Sequence, residues 1–186
     1  MKNNISDLIR VYSNAIPSEL CKLFIDYYEK KEELRNINGK ARHNHLINSR
    51  WTEINLIKHL PKGDLQHFSN VMLDYKERYE KDCGIPPLPQ PQGFADMRLK
   101  KYEKNGEDCF ETHYDNYGQA SNRYLVFLWT LNDVSEGGET EFVDLDISLK
   151  PEEGRLVIFP PYWMYRHRAH IPVSEPKYII NTFTVW

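Results

Sequence analysis

A proline-rich segment divides this sequence into two parts of different character. Residues Pro86-Pro87-Leu88-Pro89-Gln90-Pro91 cannot form a regular helix or an inner strand, because proline has no amide donor and its ring fixes φ. Before the segment, apolar residues recur with helical spacing. After it, short apolar runs alternate with turn residues. The fold must therefore join a helical first part to a strand-rich second part.

Two helices are predicted in the first part. One begins at Pro17-Ser18-Glu19, and the other starts at Asp64 and ends before Gly84. Their apolar residues follow the i, i+3, i+4 spacing of amphipathic helices. These residues are Leu20, Leu23, Phe24, Tyr27 and Tyr28 in the first helix, and Leu65, Phe68, Met72, Tyr75 and Tyr79 in the second. The polar stretch 35–50, which contains His43 and His45, is predicted to be a solvated loop.

Six strands are predicted in the second part. They cover residues 94–102, 109–114, 124–131, 140–143, 155–159 and 178–186. Turn residues such as Asn105-Gly106 and Gly137-Gly138 separate them. Helices followed by strands predict an α+β fold whose main body is an antiparallel sandwich or barrel.

Composition excludes several classes of protein. The 186 residues include 24 basic and 27 acidic residues, and the net charge of −3 excludes binding of nucleic acid by bulk positive charge. No apolar run approaches the roughly 20 residues that cross a bilayer. Three widely spaced cysteines, without a C-x-x-C pair, do not indicate a disulfide framework. We therefore expect a cytoplasmic protein with no nucleic-acid or membrane partner.

A metal site is indicated within the second part. Residues two apart on a strand project from the same face, so His113 and Asp115 of His113-Tyr114-Asp115 can bind one metal ion. A third ligand from the segment 160–170, which contains His167 and His170, would complete two histidines and one carboxylate. That set leaves coordination positions open, as non-haem Fe(II) oxygenases require.

A lysine follows the distal histidines and opens an apolar strand. At such a position, Lys177 is either a rim residue or a fixed cation that pairs with a ligand carboxylate at the bottom of a pocket. Residue type and position alone do not choose between these two roles.

The order of these motifs resembles the 2-oxoglutarate- and Fe(II)-dependent dioxygenases, specifically the prolyl 4-hydroxylase-like branch. The resemblance extends over residues 94–186. It includes Gly137-Gly138-Glu139-Thr140-Glu141-Phe142, which is similar to the GGET-x-F turn of the family, and Pro172-Val173 before the lysine. It implies a double-stranded β-helix, or jelly roll, with N-terminal helices on the larger sheet. Residues 1–186 would then form a single dioxygenase domain, with 1–84 as a helical support region and 94–186 as the catalytic core.

The resemblance also implies the site residues. His113, Asp115 and His167 would bind Fe(II), Lys177 would pair with the distal carboxylate of 2-oxoglutarate, and Tyr102 would lie near that co-substrate. The implied cofactors are Fe(II), 2-oxoglutarate and O₂, with ascorbate as a supporting reductant.

One rival ligand remains, since Pro172 follows His167 by one residue more than is common in the family. His170 could then be the third ligand. The spacing from His167 to Lys177 favours His167, and residues three apart on a strand face opposite ways, so the two histidines are not expected to bind one metal together.

The implied activity is hydroxylation of a peptidyl proline, as in procollagen-proline 4-dioxygenase. Decarboxylation of 2-oxoglutarate to succinate and CO₂ would be coupled to C–H hydroxylation by O₂. The expected partner is a peptide or protein that contains proline. Two alternatives stay open: the same chemistry on a free amino acid or other small molecule, and a jelly-roll module that binds metal without catalysis.

Overall fold

Two antiparallel β-sheets lie at the centre of the protein. The computed structural model describes residues 4–43, 46–86 and 93–186. The strands are β1 Arg10–Tyr12, β2 Asn36–Gly39, β3 Arg50–Asn55, β4 Gly93–Tyr102, β5 Phe110–His113, β6 Arg123–Thr130, β7 Thr140–Phe142, β8 Ile147–Leu149, β9 Leu156–Phe159, β10 His167–Ala169 and β11 Lys177–Val185. The helices are α1 Ser18–Lys30, α2 Leu56–His59 and α3 Lys62–Cys83.

The two sheets have seven and four strands. The strand order is β1-β9-β6-β11-β4-β3-β2 in the larger sheet and β5-β10-β7-β8 in the smaller. Neighbouring strands pair antiparallel throughout both sheets. The α+β architecture with an antiparallel sandwich is therefore confirmed.

Both predicted long helices are present and cover the outer face of the larger sheet. Helix α3 ends where Gly84 adopts a left-handed conformation (φ 67°), which lets its amide bond back to the last turn. Phe68 of α3 packs on Trp129 of β6 with ring centroids 5.3 Å apart. Phe24 and Tyr28 of α1 belong to the same apolar core. None of the described helices is long and apolar enough to cross a membrane.

Strand alternation gives the larger sheet two different faces. On β6, Phe127 and Trp129 point to the helices, whereas Val126 and Leu128 point between the sheets. The same alternation on β4 and β11 turns some polar side chains into the space between the sheets. The functional site therefore lies on the inner face of this sheet.

The prediction of a loop over 35–50 was wrong, because β2 lies within this stretch and β3 begins at Arg50. These strands extend the edge of the larger sheet, where Asn36-Ile37-Asn38-Gly39 pairs with β3 without an apolar pattern. The short strands β1, β8 and β10 were also missed, since three residues are too few to show alternation. His45 and residues 87–92 of the proline-rich segment lie outside the described residues. The division into a support region, 1–84, and a catalytic core, 94–186, stays a prediction.

Packing of α3 on the sheet predicts that alanine substitutions at two of its residues change the free energy of unfolding by very different amounts. Phe68 is 3% exposed and Leu73 is 39% exposed. Phe68→Ala should lower the free energy of unfolding by about 3–5 kcal/mol, because it opens a cavity against Trp129. Leu73→Ala on the same helix should change it by less than about 1 kcal/mol. Urea denaturation measures both, and equal losses would contradict this packing.

Candidate metal and co-substrate site

The pairing of β5 with β10 brings two histidines together. His113 ends β5 and His167 begins β10, and the two residues are direct partners in the antiparallel register. Their ring centroids are 4.3 Å apart. Asp115 follows β5, where its amide donates to the carbonyl of Pro161 at 3.0 Å. This bond fixes the backbone of Asp115 to the segment that leads into β10.

One ligand atom from each of His113, Asp115 and His167 lies within 4.8 Å of the others. The Nε2 atom of His113 is 3.9 Å from Asp115 Oδ1, and the Nε2 atom of His167 is 3.6 Å from Asp115 Oδ2. Two imidazole nitrogens and one carboxylate at this spacing are a donor set that fits Fe(II) and leaves several coordination positions open.

Backbone carbonyls orient both imidazole rings. The Nδ1 atom of His113 lies 2.8 Å from the carbonyl of Glu111, and that of His167 lies 3.1 Å from the carbonyl of Tyr165. A carbonyl only accepts hydrogen bonds, so each Nδ1 must carry the proton. The lone pair of each Nε2 then points toward Asp115, as in histidines that bind a metal through Nε2.

Electrostatics keep these rings neutral. Burial, and after it the neighbouring His167, lower the pKa of His113 to about 3, although the charge of Asp115 opposes the shift. Burial also lowers the pKa of His167, again against Asp115. Neutral imidazole is the form that binds metal, so the site is ready for a cation at neutral pH.

The rival histidine lies elsewhere. Its Nε2 atom pairs with Glu141 Oε2 at 2.5 Å, and the side chain of His170 is 38% exposed. Among the described residues, the group of side chains that could hold a metal ion contains His167 and not His170. Strand β10 ends at Ala169, so His170 lies just outside the strand that carries His167.

Lys177 lies deep between the sheets, where it faces Tyr102 across the β11–β4 pair. Its Nζ atom donates to the carbonyl of Gly138 at 2.6 Å and to Thr140 Oγ1 at 3.2 Å. Both acceptors belong to the GGET turn. Within this turn, Gly137 (φ 76°) lies so close to the carbonyl of Ile171 that a Cβ would be 2.4 Å from it.

A small cavity joins Lys177 to the histidine–aspartate cluster. Its volume is about 40 Å³, and its walls include Tyr102, Lys177, His113, Asp115 and His167. Burial lowers the pKa of Lys177 to about 8, although the more distant Glu139 opposes the shift. Nζ makes no ion pair with a carboxylate of the described residues, which suits a position that receives a ligand carboxylate.

A larger outer cavity of about 970 Å³ opens on the other side of the cluster. Trp51 and Glu53 of β3 contribute to its wall, and Trp51 Nε1 donates to Glu53 Oε2 at 2.7 Å. These residues were not singled out in the sequence. They enter the site because β3 pairs with β4, a long-range contact that no local pattern reveals.

A chain of ion pairs crosses this wall and ends beside the cluster. Arg98 pairs with Glu53 at 3.3 Å and with Asp96 at 3.2 Å. Arg123 pairs with Asp96 at 2.9 Å and donates through Nη1 to the backbone carbonyl of Asp115 at 3.0 Å. The network holds the Asp115 backbone from a second side.

The comparisons with known proteins agree with this geometry. Residues 97–185 match the sequence model of the 2OG-Fe(II) oxygenase superfamily. This matched segment, just under half of the chain, belongs to the 2OG-Fe(II) oxygenase superfamily. The protein is an enzyme of the 2-oxoglutarate-dependent dioxygenase class, with Fe(II), 2-oxoglutarate and O₂ as its cofactors. A search of curated proteins finds no match.

Solved prolyl hydroxylases share the oxygenase fold. The viral collagen prolyl hydroxylase of Paramecium bursaria Chlorella virus-1, solved with 2OG, is 18% identical with a TM-score of 0.63 over 95% of each chain. A prolyl-4-hydroxylase of Pseudomonas putida is 13% identical with a TM-score of 0.66, covering 97% of this chain and 96% of that one. A Trichoplax adhaerens prolyl hydroxylase, in complex with a hypoxia inducible factor peptide fragment, is 14% identical with a TM-score of 0.68, covering 97% and 84%. The predicted double-stranded β-helix is confirmed.

The buried ammonium of this oxygenase predicts a distinctive pH dependence of stability. The pKa of Lys177 is about 8 in the folded protein and about 10.5 in the unfolded chain. Between these values the unfolded chain binds more protons, so stability rises with pH. From pH 8 to 9, the metal-free wild type should gain about 1 kcal/mol relative to Lys177→Met. Urea denaturation at both pH values tests this, and a constant difference between the two proteins would refute the shift.

Proposed function

We propose that this oxygenase hydroxylates peptidyl proline, as a prolyl 4-hydroxylase. In this proposal His113, Asp115 and His167 ligate Fe(II), Lys177 binds the distal carboxylate of 2-oxoglutarate, and Tyr102 lines the co-substrate cavity. The observation that carries the proposal is the position of the three donors at the junction of two cavities, one small with a buried cation and one large.

The chain's own residues position the co-substrate and shield the metal ligands from water. Bound Fe(II), with 2-oxoglutarate and O₂, supplies the oxidative decarboxylation and the C–H hydroxylation. Lys177 orients the co-substrate by pairing with its carboxylate at the closed end of the small cavity. Phe110 stacks on His113 with ring centroids 3.5 Å apart and an interplanar angle of 13°, which fixes the imidazole and excludes water from one side of it.

The outer cavity supports a peptide rather than a free amino acid as substrate. Its volume of about 970 Å³ is at the upper end of the roughly 300–1,000 Å³ of ligand pockets and far exceeds the needs of one amino acid. Aromatic rings of Trp51, Tyr114 and Tyr117 line it and offer apolar faces to a pyrrolidine ring. The Trichoplax neighbour, which shares this fold, was solved with a peptide fragment.

Cytoplasmic localisation, and the absence of nucleic-acid and membrane partners, stay predictions from composition. The net charge of −3 supports the absence of a nucleic-acid partner. The three cysteines are free in the structure, as is usual in a reducing compartment.

The proposed ligand set predicts opposite results for two neighbouring histidines. His167→Ala should weaken Fe(II) binding at least about 10-fold, because one of three protein ligands is lost. His170→Ala should leave it unchanged, since His170 only pairs with Glu141 on the surface. Anaerobic titration of each metal-free protein with Fe(II) measures this. Loss of binding in the His170 variant alone would overturn the assignment.

The substrate is tested by product analysis. The wild-type enzyme, with Fe(II), 2-oxoglutarate and ascorbate, should add one oxygen atom to proline in a mixture of proline-containing peptides and release succinate. His113→Ala and Asp115→Ala should do neither, because the metal set is broken. Mass spectrometry of the peptides and a succinate assay measure both products.

Three outcomes separate the proposed peptide hydroxylase from the alternatives. Free L-proline is offered in parallel, and oxidation of it without any oxidised peptide would favour the small-molecule alternative. Full activity of either metal-ligand variant would refute the proposed metal site. Binding of Fe(II) and 2-oxoglutarate without succinate from any substrate would favour a non-catalytic metal-binding module.

A further inference from the structure

A second buried lysine lies in this site and has no assigned role. Lys100 is on β4, two residues before Tyr102, so its side chain shares the inner face of the sheet. It is 7% exposed. Its Nζ atom lies over the rings of Trp51 at 4.8 Å and Phe110 at 5.5 Å. The Nζ atom makes no hydrogen bond or ion pair with another described residue.

A buried cation without an anionic partner is unfavourable unless a ligand supplies the anion. Burial lowers the pKa of Lys100, and the charges of Glu53 and Asp115 oppose this only from a distance. A second polar group nearby is also unsatisfied, since the buried Oδ1 atom of Asn181 has no hydrogen-bond partner among the described residues. Lys100 and Asn181 both line the small cavity and the outer cavity.

The other cations of the outer cavity already have partners. Arg98 and Arg123 pair with Asp96, and Arg166 pairs with Asp144 through two hydrogen bonds. Among the described residues that line the two cavities, this leaves the ammonium groups of Lys100 and Lys177 without a carboxylate. Both of them line the small cavity.

The strand register places these two lysines near each other on the inner face of the sheet. Lys177 is opposite Tyr102, and Lys100 is opposite Ile179, so the two lysines are diagonal neighbours on adjacent strands. Diagonal positions of this kind are about 7–8 Å apart. Lys177 lies at the closed end of the cavity, and Lys100 lies where the cavity meets the outer one. Because both side chains line the same small cavity, a dicarboxylate of five carbons bound there can contact both.

We infer that Lys100 binds the 1-carboxylate of 2-oxoglutarate while Lys177 binds the 5-carboxylate. The small cavity then clamps the co-substrate at both ends, one cation for each carboxylate. Lys100 positions the end of the co-substrate that lies nearest the metal. This inference rests on the proposed role of Lys177.

The experiment pairs two ligands with three variants. The ligands are 2-oxoglutarate and 2-oxopentanoate, which keeps the 1-carboxylate and lacks the 5-carboxylate. The variants are Lys100→Met, Lys177→Met and the control Lys101→Met. Lys101 is the next residue on β4, faces the other side of the sheet and pairs with Glu29 and Glu103. Calorimetry of the Mn(II)-loaded proteins without O₂ gives the dissociation constants, and Mn(II) affinity is measured separately.

Each variant has its own expected pattern. Lys100→Met should weaken both ligands about 10-fold or more, because the 1-carboxylate that it contacts is present in each. Lys177→Met should weaken 2-oxoglutarate to a similar extent and leave 2-oxopentanoate unchanged. Lys101→Met should bind both ligands as the wild type does. Lys100→Arg, which keeps the charge, should retain more affinity than Lys100→Met.

The outcomes separate this inference from the function on which it rests. One outcome would overturn the role of Lys100 alone. In it, Lys100→Met binds both ligands with wild-type affinity, while Lys177→Met still binds 2-oxoglutarate more weakly. The lysine would then face the substrate, and its loss would appear in the KM of the peptide. No binding of 2-oxoglutarate by the Mn(II)-loaded wild type would overturn the proposed function as well. Lys100→Gln gives the same comparison where Lys100→Met does not fold.

Discussion

The antiparallel pairing of β5 with β10 is the constraint on which the site depends. It places His113 directly opposite His167, although 53 positions separate them in the chain. Each ring is then held by a carbonyl of its own segment, so the shared register and two local hydrogen bonds aim both Nε2 atoms at Asp115. A shift of one residue in this register would turn one histidine to the opposite face of the sheet, and the cluster would be lost.

The larger sheet supplies the other half of the site because its two faces differ. Trp129 and Ile180 bury an apolar face under the helices, which stabilises the sheet. The inner face can then carry Lys100 and Lys177, whose burial without a carboxylate is unfavourable. Stability is concentrated where the helices pack, and the destabilising charges are placed where we propose that the dicarboxylate binds. This separation is typical of proteins whose sites are strained for function.

Much of the fold and of the metal cluster could be predicted from the sequence. The spacing of His113 and Asp115 indicates a shared strand face, and the order of motifs up to Lys177 resembles one family. Two features of the site were not predicted. The edge strand β2 and its neighbour β3 lack a regular apolar alternation, because Trp51 and Glu53 of β3 face the outer cavity and β2 pairs on one side only. Lys100 shares the alternation of Tyr102 and could have been found by counting two residues back, but nothing in the sequence shows that its neighbours leave it unpaired.

The sequence by itself determined the two long helices and the longer strands of the second part, which follow from local spacing. The ligand types and the class of chemistry came from the order of its motifs, through their resemblance to one family. Only the tertiary structure placed His167 rather than His170 beside His113 and Asp115, brought Trp51 into the wall of the outer cavity, and placed two ammonium groups in one small cavity. These depend on strand register and on which charges find partners across the sheets. Both are set by contacts between residues far apart in the chain, and local spacing carries no record of them.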